Sequence, residues 1–550
     1  MASFRRPVAF FLLAAATAVS AQAPAARVLP PRVEAQGAGA QGVEAQGAEA
    51  RTARAYDAAA KAGPAALRIF LAQFPKGADL HMHLSGSVYA ETLIRDAGGD
   101  GLCVDTVALS LVPPPCSERA VPAKNLSGNM SAANQTLYDR LIDAFSMRGF
   151  VPSAGWSGHD QFFVTFDRFD ALSNRHMGEW VDEVASRAAA QNEQYLELMQ
   201  TPPFSHAAQI AHDIGWSADL ENADLDRAGP QAFARFRQQL LDRGLRDEVA
   251  ADRDEVRQAE AERRQLEHCG TPEAAAACQV EIRSIYQVLR GFPPEQVFAQ
   301  TLLGFETVQA SIDAHEGGFA GINLVMPEDG YISMRDYTLQ MKMLDYLHSV
   351  YPSVPITLHA GELTLGLVPT AGLRFHIRQA VELGHAERIG HGVDLAYETN
   401  APELLKEMAQ KHVMVEIGLT SNDVILGVKG DAHPFSIYRA AHVPVALSTD
   451  DEGVSRIDLT HEYVRAALSY RLSYADLKQL ARTGMEHDFL PGASLWASPD
   501  DFSAPVSACR GQQLGGSKPT SACKAFLDGS QKAAEQWELE RRFRAFEAQW

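Results

Sequence analysis

The chain has 550 residues, 46% of them hydrophobic and 21% charged, and a formal net charge of −20 at pH 7. That length suits one large domain with insertions or two to three domains, and the composition is that of a soluble globular protein. The acidic balance argues against nucleic-acid backbones and anionic membrane surfaces as partners.

Arg5 and Arg6 precede an apolar run over residues 8–19 that ends in Val19-Ser20-Ala21. This predicts a secretory signal peptide over residues 1–21. The run is too short to cross a bilayer as a helix, so no membrane anchor is expected and the protein is exported, to the periplasm or beyond the cell. Residues 22–50 hold variants of Glu-Ala-Gln-Gly without an aromatic residue, the composition of a low-complexity, flexible leader. Residues 51–496 form the main domain, opening with helical spacing over 51–74. Within it, residues 98–136 are a Gly-, Pro- and Ser-rich excursion, and residues 206–268 a charged helical insertion. Residues 497–550 read as a C-terminal extension. The six cysteines allow fifteen pairings. Sequence neighbours are the simplest choice, giving Cys103 with Cys116, Cys269 with Cys278 and Cys509 with Cys523 as staples of an exported protein.

Eight short apolar stretches, near residues 76–83, 194–199, 280–289, 319–325, 355–359, 388–391, 413–418 and 443–448, mostly alternate with helical patterns. Alternation at this spacing predicts α/β architecture with a parallel sheet, and eight units favour a closed (β/α)8 TIM barrel with helical insertions over an open sheet. No Gly-rich phosphate fingerprint follows the first strand, which counts against a dinucleotide fold.

In such a barrel, functional residues lie at the C-terminal ends of the strands. His81 and His83 close the first strand, one residue apart and therefore on one face. His359 and Glu362 follow the fifth strand, His391 the sixth, and Asp450 and Asp451 the eighth. Glu197, ending the second strand, is a candidate pocket residue. His376, His385 and His433 have no placement argument, and Ser421-Asn422 reads as shaping a loop.

The set Leu80-His81-Met82-His83-Leu84, His359-Ala360-Gly361-Glu362, Arg388-Ile389-Gly390-His391-Gly392, Thr420-Ser421-Asn422 and Ser448-Thr449-Asp450-Asp451 resembles, in order, the adenosine deaminase superfamily of metal-dependent amidohydrolases. Pro75-Lys76-Gly77, the export signal and the helical insertion make the chain look more like the secreted, growth-factor-related branch. The resemblance implies that His81, His83 and His359 are neutral imidazole ligands and Asp450 a carboxylate ligand of one Zn²⁺ per chain, with a position left for water. It implies that His391 orients or deprotonates that water, that Glu362 handles the proton at purine N1, and that Asp451 accepts a hydrogen bond near N7. The implied reaction is attack of metal-activated hydroxide at C6, converting adenosine or a closely related 6-aminopurine nucleoside to inosine and ammonia.

Two positions depart from the family pattern. Ser85 stands where an Asp usually helps bind ribose, and Met326 stands where a Gly offers its N–H to the purine edge. Both remain candidate substrate contacts, and both bear on the substrate rather than on the reaction type. Another metal-dependent amidohydrolase on the same barrel and a non-catalytic nucleoside-binding or signalling homologue are the alternative readings. The insertion at 206–268 suits either a homodimer face or a lid over the barrel mouth, and its charge pattern does not choose between them.

Overall fold

The computed structural model describes residues 38–127, 132–172, 174–221 and 225–550. Its centre is a ring of eight parallel strands: β1 (Gly77–His83), β2 (Glu193–Gln200), β3 (Glu281–Leu289), β4 (Phe319–Val325), β5 (Thr357–Ala360), β6 (Arg388–His391), β7 (Met414–Ile417) and β8 (Val445–Leu447). β1 to β4 pair in order, as do β5 to β8. Parallel bridges Ile322↔Ile356 and Met82↔Asp450 join the two runs at both seams and close the ring. Apart from β3, the strands are buried over nearly their whole length because helices cover their outer faces, which is why they read as continuous apolar runs rather than alternating ones. The (β/α)8 barrel expected from the alternation is the observed fold.

The barrel interior is not all apolar. Arg388 of β6 is fully buried and bridges Glu197 of β2 at 2.5 Å and Glu416 of β7 at 2.6 Å, with its guanidinium 3.8 Å from the centre of the Phe489 ring. Glu197 therefore lies beneath the mouth as an ion-pair partner, not in the pocket where its strand-end position had placed it. Burial alone pushes the Glu416 carboxyl up, but Arg388 and His81 outweigh it and hold Glu416 at about 2.

The insertions pack outside this ring. Residues 98–136 contain a three-stranded antiparallel sheet (Cys103–Asp105, Ser110–Val112, Ala120–Pro122). All three cysteine pairs are disulfides between sequence neighbours, as expected. The insertion at 206–268 lays its aromatic face on the barrel's own helices, with Phe233 stacked 5.4 Å from Phe298 and 5.7 Å from Tyr346. Its apolar stripe is thus spent on the barrel wall, and none of its described residues lines the cavity at the mouth.

Two boundaries also differ from the sequence reading. The signal peptide and the leader up to residue 37 lie outside the described residues, but residues 38–50 are not a flexible leader. They begin a helix, Ala38–Ala62, carried through three glycines by the anchored segment that follows. Thr52 on this helix is buried, and Glu49 pairs with Lys478. The C-terminal helix Gln531–Glu547 is likewise no appendage: Phe543 packs 5.7 Å from Phe74, and Phe546 5.3 Å from Phe70, in the main core. Each such ring removes enough apolar surface from water to contribute about 2 kcal/mol. No helix among the described residues is long and apolar enough to cross a membrane.

Replacing Arg388 with Met leaves Glu197 and Glu416 facing each other without a cation. The variant is expected to lose about 3–5 kcal/mol of stability, seen as a lower Tm in thermal unfolding. An unchanged Tm would show that the buried pair is not what orders the barrel interior.

Candidate metal centre and barrel mouth

β1, β5 and β8 deliver four donors to one point. His81, His83, His359 and Asp450 are all buried and form a group able to hold a cation. His359 Nε2 lies 3.1 Å from His81 Nε2 and 3.2 Å from His83 Nε2. Asp450 Oδ1 lies 3.3 Å from His83 Nε2 and 3.7 Å from His81 Nε2. Tetrahedral ligands about 2.0 Å from a zinc ion stand about 3.3 Å apart, so the donor set matches that ion in chemistry and in spacing. Backbone bonds across the β8–β1 seam hold the arrangement: the Asp450 N–H donates to the His81 carbonyl at 2.9 Å, and the His83 N–H to the Asp450 carbonyl at 3.2 Å.

Each ligand is also held from behind. His81 Nδ1 donates to Glu416 Oε2 at 2.6 Å, His83 Nδ1 to Gln287 Oε1 at 2.8 Å, and His359 Nδ1 to Asn323 Oδ1 at 3.0 Å. The amide orientations are fixed by second bonds: Gln287 Nε2 donates to Thr201, and Asn323 Oδ1 also accepts the His359 backbone N–H. When neutral, all three rings therefore carry their proton on Nδ1 and turn an Nε2 lone pair to the centre, the tautomer a cation requires. Asp450 Oδ2 accepts from Ser421 Oγ at 2.5 Å, leaving Oδ1 for the centre. Burial opposes ionisation of Asp450, but the His83 hydrogen bond and the surrounding imidazoles hold it well below the usual carboxylate range. Burial lowers His83, yet the Asp451 and Asp450 carboxylates outweigh it and lift His83 to about 9. Protons and a divalent cation thus compete for the same seat.

Glu362, His391 and Asp451 surround this centre. Burial first, then the nearby carboxylates of Asp450, Glu328 and Asp451, raise Glu362 well above the usual carboxylate range. Its Oε1 is buried without a protein partner. Glu328 accepts the Gly361 and Glu362 backbone N–H groups and pairs with His376 at 2.5 Å, fixing the turn that presents Glu362. Asp451 is raised by burial and by Asp450, and its Oδ1 is also without a protein partner. It fits because residue 86 is glycine: a Cβ there would stand 1.5 Å from Asp451 Oδ1. His391 is held down at about 4 by burial and, against the pull of Asp450, by His81 and His83.

These groups line one cavity of about 560 Å³ together with Ser85 and Met326, so the structure brings every predicted site residue to one place. Met326 holds φ at +94° and His391 and Asp450 at +70° and +63°, conformations that non-glycine residues rarely adopt. The cover over the mouth is the helix Gly158–Phe169, in the stretch 137–192 whose spacing reads as helical with a Trp- and Phe-rich turn near Trp156 and Phe162. Its capping box joins Ser157 to Asp160, and Phe162 buries against Ile425 and Val454. Trp156, His159, Phe163 and Phe166 then line the cavity, and His159 Nε2 reaches Asp329 Oδ1 at 3.0 Å. Helical periodicity marks such a segment but does not say which strand ends it covers.

The sequence model of the family described as Adenosine deaminase matches residues 263–495. That stretch is similar to the adenosine deaminase family. The match covers His359, Glu362, His391, Asp450 and Asp451, while the fold brings in His81 and His83 from outside it. The adenosine deaminase of Enterococcus faecalis is 34% identical over 195 residues, which cover 35% of this chain and 50% of that protein. The adenosine deaminase of Clostridium perfringens is 35% identical over 135 residues, covering 24% of this chain and 37% of that one. The chain thus spans half or less of the length of these relatives. Among solved structures, the adenine deaminase of Arthrobacter aurescens aligns with a TM-score of 0.47 and 16% identity over 76% of this chain and 94% of that one. The N6-methyl-AMP deaminase of Arabidopsis thaliana aligns with a TM-score of 0.46 and 21% identity over 77% and 94%.

Replacing Glu416 with Gln removes the charged acceptor behind His81. Zinc affinity, measured by competition with a chromophoric chelator, is expected to fall roughly 10–100-fold. Unchanged affinity would mean that the barrel backbone alone orients His81.

Proposed function

We propose that this protein is a secreted, zinc-dependent aminohydrolase that converts adenosine, or a closely related 6-aminopurine nucleoside, to inosine and ammonia. The observation that carries the reading is the convergence, on one cavity, of a three-His, one-Asp donor set with two buried carboxyl groups, Glu362 and Asp451, that each keep an oxygen without a protein partner. His81, His83, His359 and Asp450 would hold one zinc ion, which when bound supplies a Lewis acid that lowers the pKa of water toward neutrality.

The chain's own residues divide the remaining work. Protonated Glu362 donates to N1 of the purine, which makes C6 electrophilic and keeps positive charge off the ring until attack. Asp451 takes the ring's other edge near N7. The apolar walls from Phe163, Leu289 and Val325 sandwich the base and exclude bulk water. Ser85 and the backbone N–H of Met326 stand at the sugar and the purine edge, as the resemblance assigns them. Export rests on the N-terminal sequence, and the three disulfides support it.

No Lys or Arg is among the described residues lining the cavity, whereas Asp160, Asp167 and Asp451 are. A phosphate would meet like charge there, which supports an unphosphorylated substrate. Ultraviolet absorbance of purified, zinc-loaded protein with adenosine is expected to show conversion to inosine, abolished by a chelator and restored by zinc. AMP is expected to be worse by roughly a hundredfold or more in kcat/KM. No spectral change with adenosine, deoxyadenosine or adenine would sink the proposal. Glu362→Gln is expected to lose turnover while still binding one zinc per chain; full activity in that variant would remove Glu362 from the chemistry.

A further inference from the structure

Four histidines cluster at the metal centre, and three of them present a lone pair to it when neutral. The fourth, His391, is wired the opposite way, and the reason begins on a backbone amide. The Phe435 N–H donates to His433 Nδ1 at 3.1 Å. A backbone amide can only donate, so His433 Nδ1 is an acceptor. His433 is buried, and with Nδ1 accepting, its ring proton sits on Nε2. That proton is donated to Asn422 Oδ1 at 3.0 Å. The bond fixes which way the Asn422 amide points, otherwise an open choice. Its Nδ2 then faces His391 Nδ1 at 2.9 Å. An amide NH₂ donates, so His391 Nδ1 accepts, and the neutral ring keeps its proton on Nε2. That atom is buried and has no protein partner, on a ring that lines the cavity. Glu362 Oε1, 3.7 Å from His391 Nδ1, is too far to compete for the ring.

We propose that Asn422 and His433 are positioning residues that lock His391 in the tautomer presenting Nε2–H to the cavity, so that His391 donates a hydrogen bond to the oxygen adding at C6 and does not act as the base that takes its proton. The inference rests on the deaminase reading for its chemistry, and on hydrogen-bond geometry alone for the tautomer. The same wiring explains why His391 stands beside the ligand set without joining it: its inward nitrogen carries a hydrogen. Asn422 and His433 touch neither the metal donors nor the cavity, and act through His391.

Nitrogen-15 NMR of the zinc-loaded protein, labelled in its histidine rings, reads the tautomer directly. His391 is expected to show an unprotonated Nδ1 and a protonated Nε2; a proton on Nδ1 would overturn the proposal. Asn422→Asp is nearly isosteric but only accepts, so it is expected to move the His391 proton to Nδ1. It should lower kcat for adenosine roughly 10–100-fold, with KM within about twofold and zinc content unchanged. His433→Phe fills the space without donating and is expected to lower kcat similarly, while His433→Gln restores a donor and recovers most of the loss. Full kcat in Asn422→Asp, or equal loss in His433→Gln and His433→Phe, would also overturn it. If the wild type deaminates no purine, the functional reading fails, yet the NMR spectrum still decides the tautomer.

Discussion

Two backbone hydrogen bonds between β8 and β1 govern the site. They join Asp450 to His81 and His83 through the main chain, so closing the barrel and bringing the carboxylate ligand to the histidines are one event. A side chain can be repositioned by a rotamer change, but a seam cannot shift without changing the pairing of its strands. This explains why Asp450 tolerates a φ of +63°: the residue is overdetermined by the seam, by Ser421 and by the imidazoles around it.

Below the seam the constraint continues as a column of buried charge. His81 leans on Glu416, Glu416 on Arg388, and Arg388 on Glu197. The ring divides its duties. β1, β5, β6 and β8 bring the metal donors, Glu362, His391 and Asp451, while β2, β3, β4 and β7 bring those that hold them: Glu197, Gln287, Asn323, Glu416 and, just after β7, Ser421 and Asn422. What stands behind a histidine decides what it can do in front. An oxygen behind the three ligand rings leaves a lone pair inward, and an amide NH₂ behind His391 leaves a hydrogen inward.

The cavity-facing groups were legible in the sequence because strand ends concentrate them. His-x-His, His-x-x-Glu and Asp-Asp are local patterns, and a parallel barrel gathers all C-terminal strand ends at one mouth. Their supports were not. Glu416, Gln287 and Asn323 are single polar residues inside apolar runs, and only a three-dimensional register shows which ring each one touches. His376 and His433 lacked any placement argument, yet one anchors Glu328 and the other sets the state of His391 through Asn422. The covering helix was visible as a helix but not as a cover, and the charged insertion offered as a lid instead spends its aromatic face on the barrel wall. At the ends of the chain, composition misled. A repetitive Ala-rich stretch without aromatic residues reads as unstructured, but residues 38–50 are carried into a helix by the anchored segment that follows.

The helix Ala38–Ala62 meets Trp550. Arg51 Nε donates to the carbonyl of Trp550 at 3.2 Å, and the Trp550 ring lies 4.9 Å from Phe70, which precedes β1. Both therefore sit by the face where the strands start, across the barrel from the mouth. Protein immobilised through Trp550 would turn its cavity toward the medium.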